Sequence, residues 1–207
     1  MEILFSIVIL IFSIVIHEVS HGIVANYLGD PTSKYAGRLT LNPLKHIDPV
    51  GSVLLPLLLI FTTGKGIGWA KPVPINPYNF RDQKYGSLKV ALAGPGSNLL
   101  LALFFGLLLR FLLSSEFIFI GLFSAFSFIV SINILLAVFN LIPIPPLDGS
   151  HVLFTFLPVS MEKTKIFLSQ FGFFILIFFL FFFPQFFQIL IYLVNKIFIL
   201  IVGVPGS

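Results

Sequence analysis

The chain has no cysteine, which excludes a disulfide framework and any thiolate metal site, so a transition metal has to be held by His, Asp or Glu. Charge is scarce as well. Only 10% of the residues are Asp, Glu, Lys or Arg, where a water-soluble domain carries about a quarter. The twelve Lys and Arg against eight Asp and Glu sit in loops between apolar segments and form no dense basic stripe. The net charge of +4 therefore reads as membrane topology and not as a nucleic-acid-binding surface. No polar stretch leaves room for a soluble domain of even about 50 residues, and no internal repeat marks a solenoid.

What is there is hydrocarbon-compatible sequence: 57% hydrophobic residues, 27 of them Phe, with a mean hydropathy of +1.07. Residues 3–26, 88–113 and 117–139 each meet the need for about 20 apolar residues in a spanning helix. The Phe-rich tract 166–204 is too long for one span and contains Pro184, so it reads as a helical hairpin in preference to one kinked helix. The short apolar segment 50–61, with Pro56 inside it, suits a re-entrant piece better than a crossing. Lys34, Arg38 and Lys45 precede that segment and Lys65, Lys71, Arg81, Lys84 and Lys89 follow it. A re-entrant 50–61 puts both basic groups on one side, which the positive-inside rule makes the cytoplasm. Residues 64–79, with Gly64, Gly66, Gly68, Pro72, Pro74 and Pro77, read as a turn-rich, short-stranded loop. The expected fold is an all-α polytopic membrane protein of about five to six transmembrane helices, a re-entrant segment and a short irregular or β-rich loop. It is read as a single membrane domain over 1–207, with a catalytic core of about 1–157 and the hairpin at about 166–204.

The first apolar segment lacks the basic start of a signal peptide and carries His17-Glu18-Val19-Ser20-His21, so it is kept as a mature transmembrane helix. Two imidazoles four residues apart on a helix share a face and can reach one metal ion. Glu18, one residue along from the first ligand, can act as general base for amide hydrolysis by water that the metal acidifies. Three ionisable groups within five residues of a membrane helix cost on the order of 2.5 kcal/mol or more each, and a bound divalent ion supplies the compensation. A catalytic zinc needs a third protein ligand. The candidates are His46, Asp48, Asp148 and His151. Asp148 stands out because Pro143, Pro145 and Pro146 unwind the backbone just before it, and irregular backbone at membrane depth belongs where it lines a polar cavity. Asp48 reads as a cap for the 50–61 segment, His151 as a neighbour of the cavity or a surface residue, and His46 as undecided. Asn133 reads as helix glue. Arg110 and Glu116 bracket the turn between two spans and snorkel to the interface.

The H-E-V-S-H helix, the N-L-I-P-I-P-P-L-D-G run from Asn140 to Gly149 and the A-G-P-G-S-N run from Ala93 to Asn98 together resemble the site-2 protease family of intramembrane zinc metalloproteases. The resemblance extends over nearly all of the first 150 residues and is to the compact subgroup without PDZ or CBS domains. It implies one zinc ion per chain held by His17, His21 and Asp148, with Glu18 as catalytic base and Asn140 holding the substrate backbone or the developing oxyanion. It places Gly94, Pro95 and Asn98 in core packing near the site. The expected partners are single-span membrane-protein substrates and the bilayer, with cleavage serving regulated intramembrane proteolysis or signal-peptide clearance. The expected location is a bacterial-type cell membrane, with the active site towards the cytoplasm. A metal transporter or metal-sensing membrane protein is the alternative, since intramembrane His and Asp also mark ion pathways, but it has no need of Glu18.

Overall fold

The computed structural model describes residues 2–48, 51, 71–114 and 119–203. Five of its helices are long and apolar enough to cross a membrane: α1 (Glu2–Tyr27), α3 (Gly86–Ser114), α4 (Ile120–Asn140), α6 (Glu162–Phe182) and α7 (Pro184–Val202). Two short helices lie between them, α2 (Thr32–Tyr35) and α5 (Asp148–Phe156). The protein is a multi-pass integral membrane protein, and among the described residues none forms a strand.

The helix ends follow local chemistry. Past α1 the chain turns at Gly29, whose φ of +109° is open to glycine. Gly29 N–H donates to Asn26 C=O and Asp30 N–H to Ala25 C=O, the pair of bonds of a Schellman closure. Helix α7 starts on Pro184, whose missing N–H is free of penalty at a first turn, and ends on Gly203 at φ +77°.

Helix α3 is the hub. It packs antiparallel to α1, pairing Asn98 with Ser13 at one level and Val90 with His21 at another, and antiparallel to α4 through Asn98 and Asn133. Helix α7 runs parallel to α3: Ile201 lies over Gly106 and Gly203 lies beside Arg110. Ala102, Leu109, Val130, Ile134, Val194 and Val202 form the apolar core where α3, α4 and α7 meet. A smaller cluster of Ala25, Leu28, Phe80 and Val90 closes the other end of α3. Elsewhere large apolar side chains such as Phe104, Phe111, Phe174 and Leu200 face outward, as a lipid-bathed surface requires.

The C-terminal tract divides at Phe183 and Pro184, where the sequence puts the break. Helix α7 packs Val194 and Val202 against α3 and α4. The reason is steric: Gly106 admits Ile201 closely, whereas the Phe-rich surface of α6 offers few small residues, and close helix packing in lipid depends on them. The expected re-entrant segment 50–61, apart from Gly51, and Glu116 lie outside the described residues. Of the 64–79 loop, residues 71–79 are described, running without regular structure from Lys71 to Asn76 and ending in a 3-10 turn at Pro77–Asn79.

Candidate metal centre

His17 and His21 sit one turn apart on α1, edge to face with ring centroids 4.7 Å apart, and both are buried. Asp148 opens α5, directly after the proline-broken run that ends α4. Its Oδ2 lies 3.1 Å from His17 Nε2 and 3.3 Å from His21 Nε2, and the two Nε2 atoms are 3.1 Å apart. Two residues one helical turn apart and a third far along the sequence thus bring one ligand atom each within 4.8 Å of one another.

The protonation of this cluster follows from its neighbours. His21 Nδ1 is 2.7 Å from the Val90 carbonyl oxygen, which can only accept, so Nδ1 carries the proton. His17 Nδ1 is 2.6 Å from Asn98 Oδ1. The Asn98 amide nitrogen donates to Ser13 C=O at 3.3 Å and to Asn133 Oδ1 at 2.9 Å. Asn133 in turn donates to Ser13 Oγ at 3.0 Å and to Ile129 C=O at 2.9 Å. Every amide hydrogen in this chain has an acceptor, so Asn98 presents oxygen to His17, and His17 also carries its proton on Nδ1. With neutral imidazoles, both Nε2 atoms point lone pairs at each other and at the carboxylate. Asp148 Oδ2 is buried without a hydrogen-bond donor. Once both imidazoles are neutral, the three converging atoms hold no proton between them, which is what a divalent cation needs, and a His, His, Asp set suits zinc.

Two glycines make the approach possible. A Cβ at Gly94 would stand 2.6 Å from both Cε1 and Nε2 of His17 and collide with His21 Nε2, so α3 presses bare backbone against the imidazoles. A Cβ at Gly149 would run into the Leu141 carbonyl and stand 2.5 Å from the Ile142 oxygen, so the turn that aims Asp148 closes only on glycine. The sequence assigns Gly94 and Asn98 to packing near the site, and the structure puts them in contact with the imidazoles themselves. Asn133, read as helix glue, is buried at the far end of the same chain of bonds. Its place could have been found only by aligning the helices, since its spacing from His17 carries no pattern.

A cavity of about 380 Å³ opens beside the cluster, lined among others by Glu18, Val73, Phe80, Asn140 and His151. Glu18 Oε2 accepts the Val73 N–H at 2.9 Å. Asn140 donates one amide hydrogen to Leu136 C=O at 2.9 Å, which leaves its second. His151, one turn beyond Asp148, lines the cavity but does not join the three ligand atoms. His46 is buried away from them and holds Thr40 C=O through Nε2. Asp48 accepts the Gly51 N–H at 3.2 Å, the capping bond expected of it.

An all-helical membrane bundle with a His, His, Asp centre and a glutamate at its cavity defines a membrane metalloprotease. The profile of peptidase family M50 matches residues 112–181, a stretch that includes Asn140 and Asp148. YwhC of Bacillus subtilis, whose name provisionally describes a zinc metalloprotease, is 38% identical over 172 residues, 81% of this chain and 75% of its own length. Rip2 of Mycolicibacterium smegmatis, named in the same way, is 34% identical over 169 residues, 81% of this chain and 62% of its own. A Methanocaldococcus jannaschii protein of the same description is 48% identical over 66 residues, 31% of this chain and 32% of its own. No solved structure matches. The chain belongs to peptidase family M50, the site-2 protease family, and is a zinc metalloprotease.

Proposed function

We propose that the protein holds one zinc ion through His17, His21 and Asp148 and hydrolyses peptide bonds in or near the transmembrane segments of single-span membrane proteins, with Glu18 as general base. The observation that carries this reading is the convergence of one ligand atom each from His17, His21 and Asp148 beside a cavity that Glu18 also lines. When bound, zinc polarises the scissile carbonyl and acidifies the attacking water. Glu18 takes the proton from that water and returns it to the leaving amine. The free amide hydrogen of Asn140, at the rim of the same cavity, supports a role in holding the substrate carbonyl as charge builds on its oxygen. The helices that form the site enclose it in the bundle, and the outward apolar surface supports substrates that arrive through the lipid.

Lys34, Arg38, Lys45, Lys71, Arg81, Lys84 and Lys89 all fall in the connection between α1 and α3 or in the first turn of α3. Their concentration beside the α1 end that carries the histidines supports a cytoplasmic active site in a bacterial-type membrane, by the positive-inside rule. Regulated proteolysis or signal-peptide clearance fits a core of this kind. A metal transporter would need the ligands but not Glu18.

The test is cleavage of a panel of single-span model substrates by purified protein in liposomes, with bound metal measured alongside. Wild type should cut, a chelator should stop it, and Glu18→Gln should keep zinc while losing cleavage by about a thousand-fold or more, the upper part of the range for a general base. Zinc flux into the liposomes, unaffected by Glu18→Gln, would favour transport instead.

A further inference from the structure

Residues 71–76 run along the cavity as a strap, with Pro72, Val73 and Ile75 in its lining, and two buried charged side chains are committed to holding it. At one end Arg38, 6% exposed, donates through Nη2 to Lys71 C=O at 2.6 Å and to Pro72 C=O at 3.4 Å. The His46 carbonyl accepts the Lys71 N–H there at 2.9 Å. At the other end Asp30, fully buried, accepts from the Asn76 N–H at 2.7 Å and from Asn79 Nδ2 at 2.8 Å. It also accepts from the N–H and the hydroxyl of Thr32, so it is locked to the start of α2. Between these anchors stands Val73, 6% exposed, whose N–H meets Glu18.

A loop beside a cavity can offer an extended substrate a main-chain edge to pair with. In the described part of this loop Lys71, Val73 and Asn76 commit their N–H groups to partners within the protein, and Pro72 and Pro74 have none, which leaves the N–H of Ile75. The hydrogen bonds point to a different task. A glutamate carboxylate turns almost freely about its last torsion, and a base that wanders from its water loses rate steeply, about 10²-fold for a displacement near 1 Å. With Oε2 tied to Val73, the carboxylate plane is set and Oε1 is left to take the proton.

We propose that Arg38 and Asp30 are positioning residues for Glu18, acting through the main chain of residues 71–76 and the Val73 N–H. The proposal rests on the reading of Glu18 as general base. Neither side chain belongs to the metal cluster. Each is a buried charge, expensive to desolvate, and each makes its bonds to the strap or to the turn that supports it.

The experiment compares Arg38→Met, Arg38→Lys and a backbone ester in place of the Val73 amide, which deletes the N–H while both anchors and the side chain stay. Purified protein is assayed on a single-span model substrate for kcat and KM and for bound zinc, and hydrogen exchange is followed at the Val73 amide. Arg38→Met and the ester should each lower kcat on the order of 10- to 100-fold, with KM little changed and zinc still one per chain. Arg38→Lys, which can still donate to both carbonyls, should recover most of the rate. Exchange at Val73 should be slow in wild type and faster in Glu18→Ala and in Arg38→Met. Wild-type kcat in the ester protein overturns the proposal, and so does a higher kcat, which would make the strap a latch. Exchange at Val73 that ignores Glu18→Ala overturns it whatever the rates show. If Arg38→Met fails to fold, the ester decides. If Glu18→Gln still cuts, the reading of the base has failed, while the exchange measurement continues to report on the strap contact by itself.

Discussion

Replacing Asn98 by Ala should weaken zinc binding without touching a ligand. Asn98 is fully buried, and its loss leaves His17 Nδ1–H, Ser13 C=O and Asn133 Oδ1 short of a partner together. Bonds between helices in a membrane protein average about 0.6 kcal/mol, and a stranded buried group costs about 1–3 kcal/mol. Three groups at the lower end give about 2–3 kcal/mol of lost stability. The same change frees the His17 ring to rotate or shift its proton to Nε2, and loss of such an outer partner typically costs 10- to 100-fold in metal affinity. That ratio corresponds to about 1.4–2.7 kcal/mol, so the two routes agree in size. The assay is zinc competition against a chelator in detergent, with thermal unfolding recorded with and without metal. Asn98→Asp is the informative companion, because a carboxylate still accepts from His17 but donates nothing to Ser13 or Asn133. It should keep more of the zinc affinity than Asn98→Ala and lose as much or more stability. Zinc affinity in Asn98→Ala within two-fold of wild type would refute the reasoning and return Asn98 to a packing role.

Three further outcomes are expected. Gly94→Ala drives a methyl into both imidazoles, and overpacking of this kind costs about 1–3 kcal/mol; bound zinc per chain, measured by atomic absorption, should fall well below one. Gly149→Ala collides with rigid carbonyls of residues 141 and 142 and should displace Asp148, so zinc affinity drops while the helical circular-dichroism signal stays. Burial works to raise the Asp30 carboxyl, but the bonds from Thr32, Asn76 and Asn79 outweigh it and hold its pKa below the ordinary value. The stability it lends is therefore full above the unfolded value of about 3.9 and disappears as pH falls through the lower folded value. Protection of the Asn76 amide against exchange should persist from pH 7 down to about 4 and then fall, and Asp30→Asn should remove that dependence.

The spans, the helix-borne H-E-x-x-H and the unwound aspartate were all legible because each is a local pattern: run length, a spacing of four, prolines before an acid. His17, His21 and Asp148 lie together in the structure. What escaped was everything that depends on which faces of different helices touch. Asn133 and Asn98 look alike as isolated amides in apolar sequence, and only the antiparallel register of α3 and α4 joins them into one chain ending on His17. Arg38 and Asp30 lie in a basic, loop-rich stretch where a charge ordinarily means solvent, yet both are buried against main-chain groups that no sequence pattern marks. The packing of α7 is hidden for the same reason: Pro184 announces a break, but the close approach of α7 to α3 depends on Gly106, 78 positions before it.

The direction of the hydrogen bonds around His17 explains why the polar residues in this part of the bundle are amides. Starting at the metal cluster, His17 donates to Asn98, Asn98 to Asn133, and Asn133 to the Ile129 carbonyl. All donors point away from the cluster, so each bond polarises the next in the same sense and electron density is pushed towards His17 Nε2. Only a side chain with an acceptor on one atom and donors on another can relay such a chain, and two side donations to Ser13 use up the remaining hydrogens. A hydroxyl at either position has one hydrogen to give and would strand an acceptor in hydrocarbon. The bonds that fasten α1 to α3 and α4 are thus the same bonds that orient the ligand. Helix packing and metal affinity in this protein should therefore rise and fall together when either asparagine is changed.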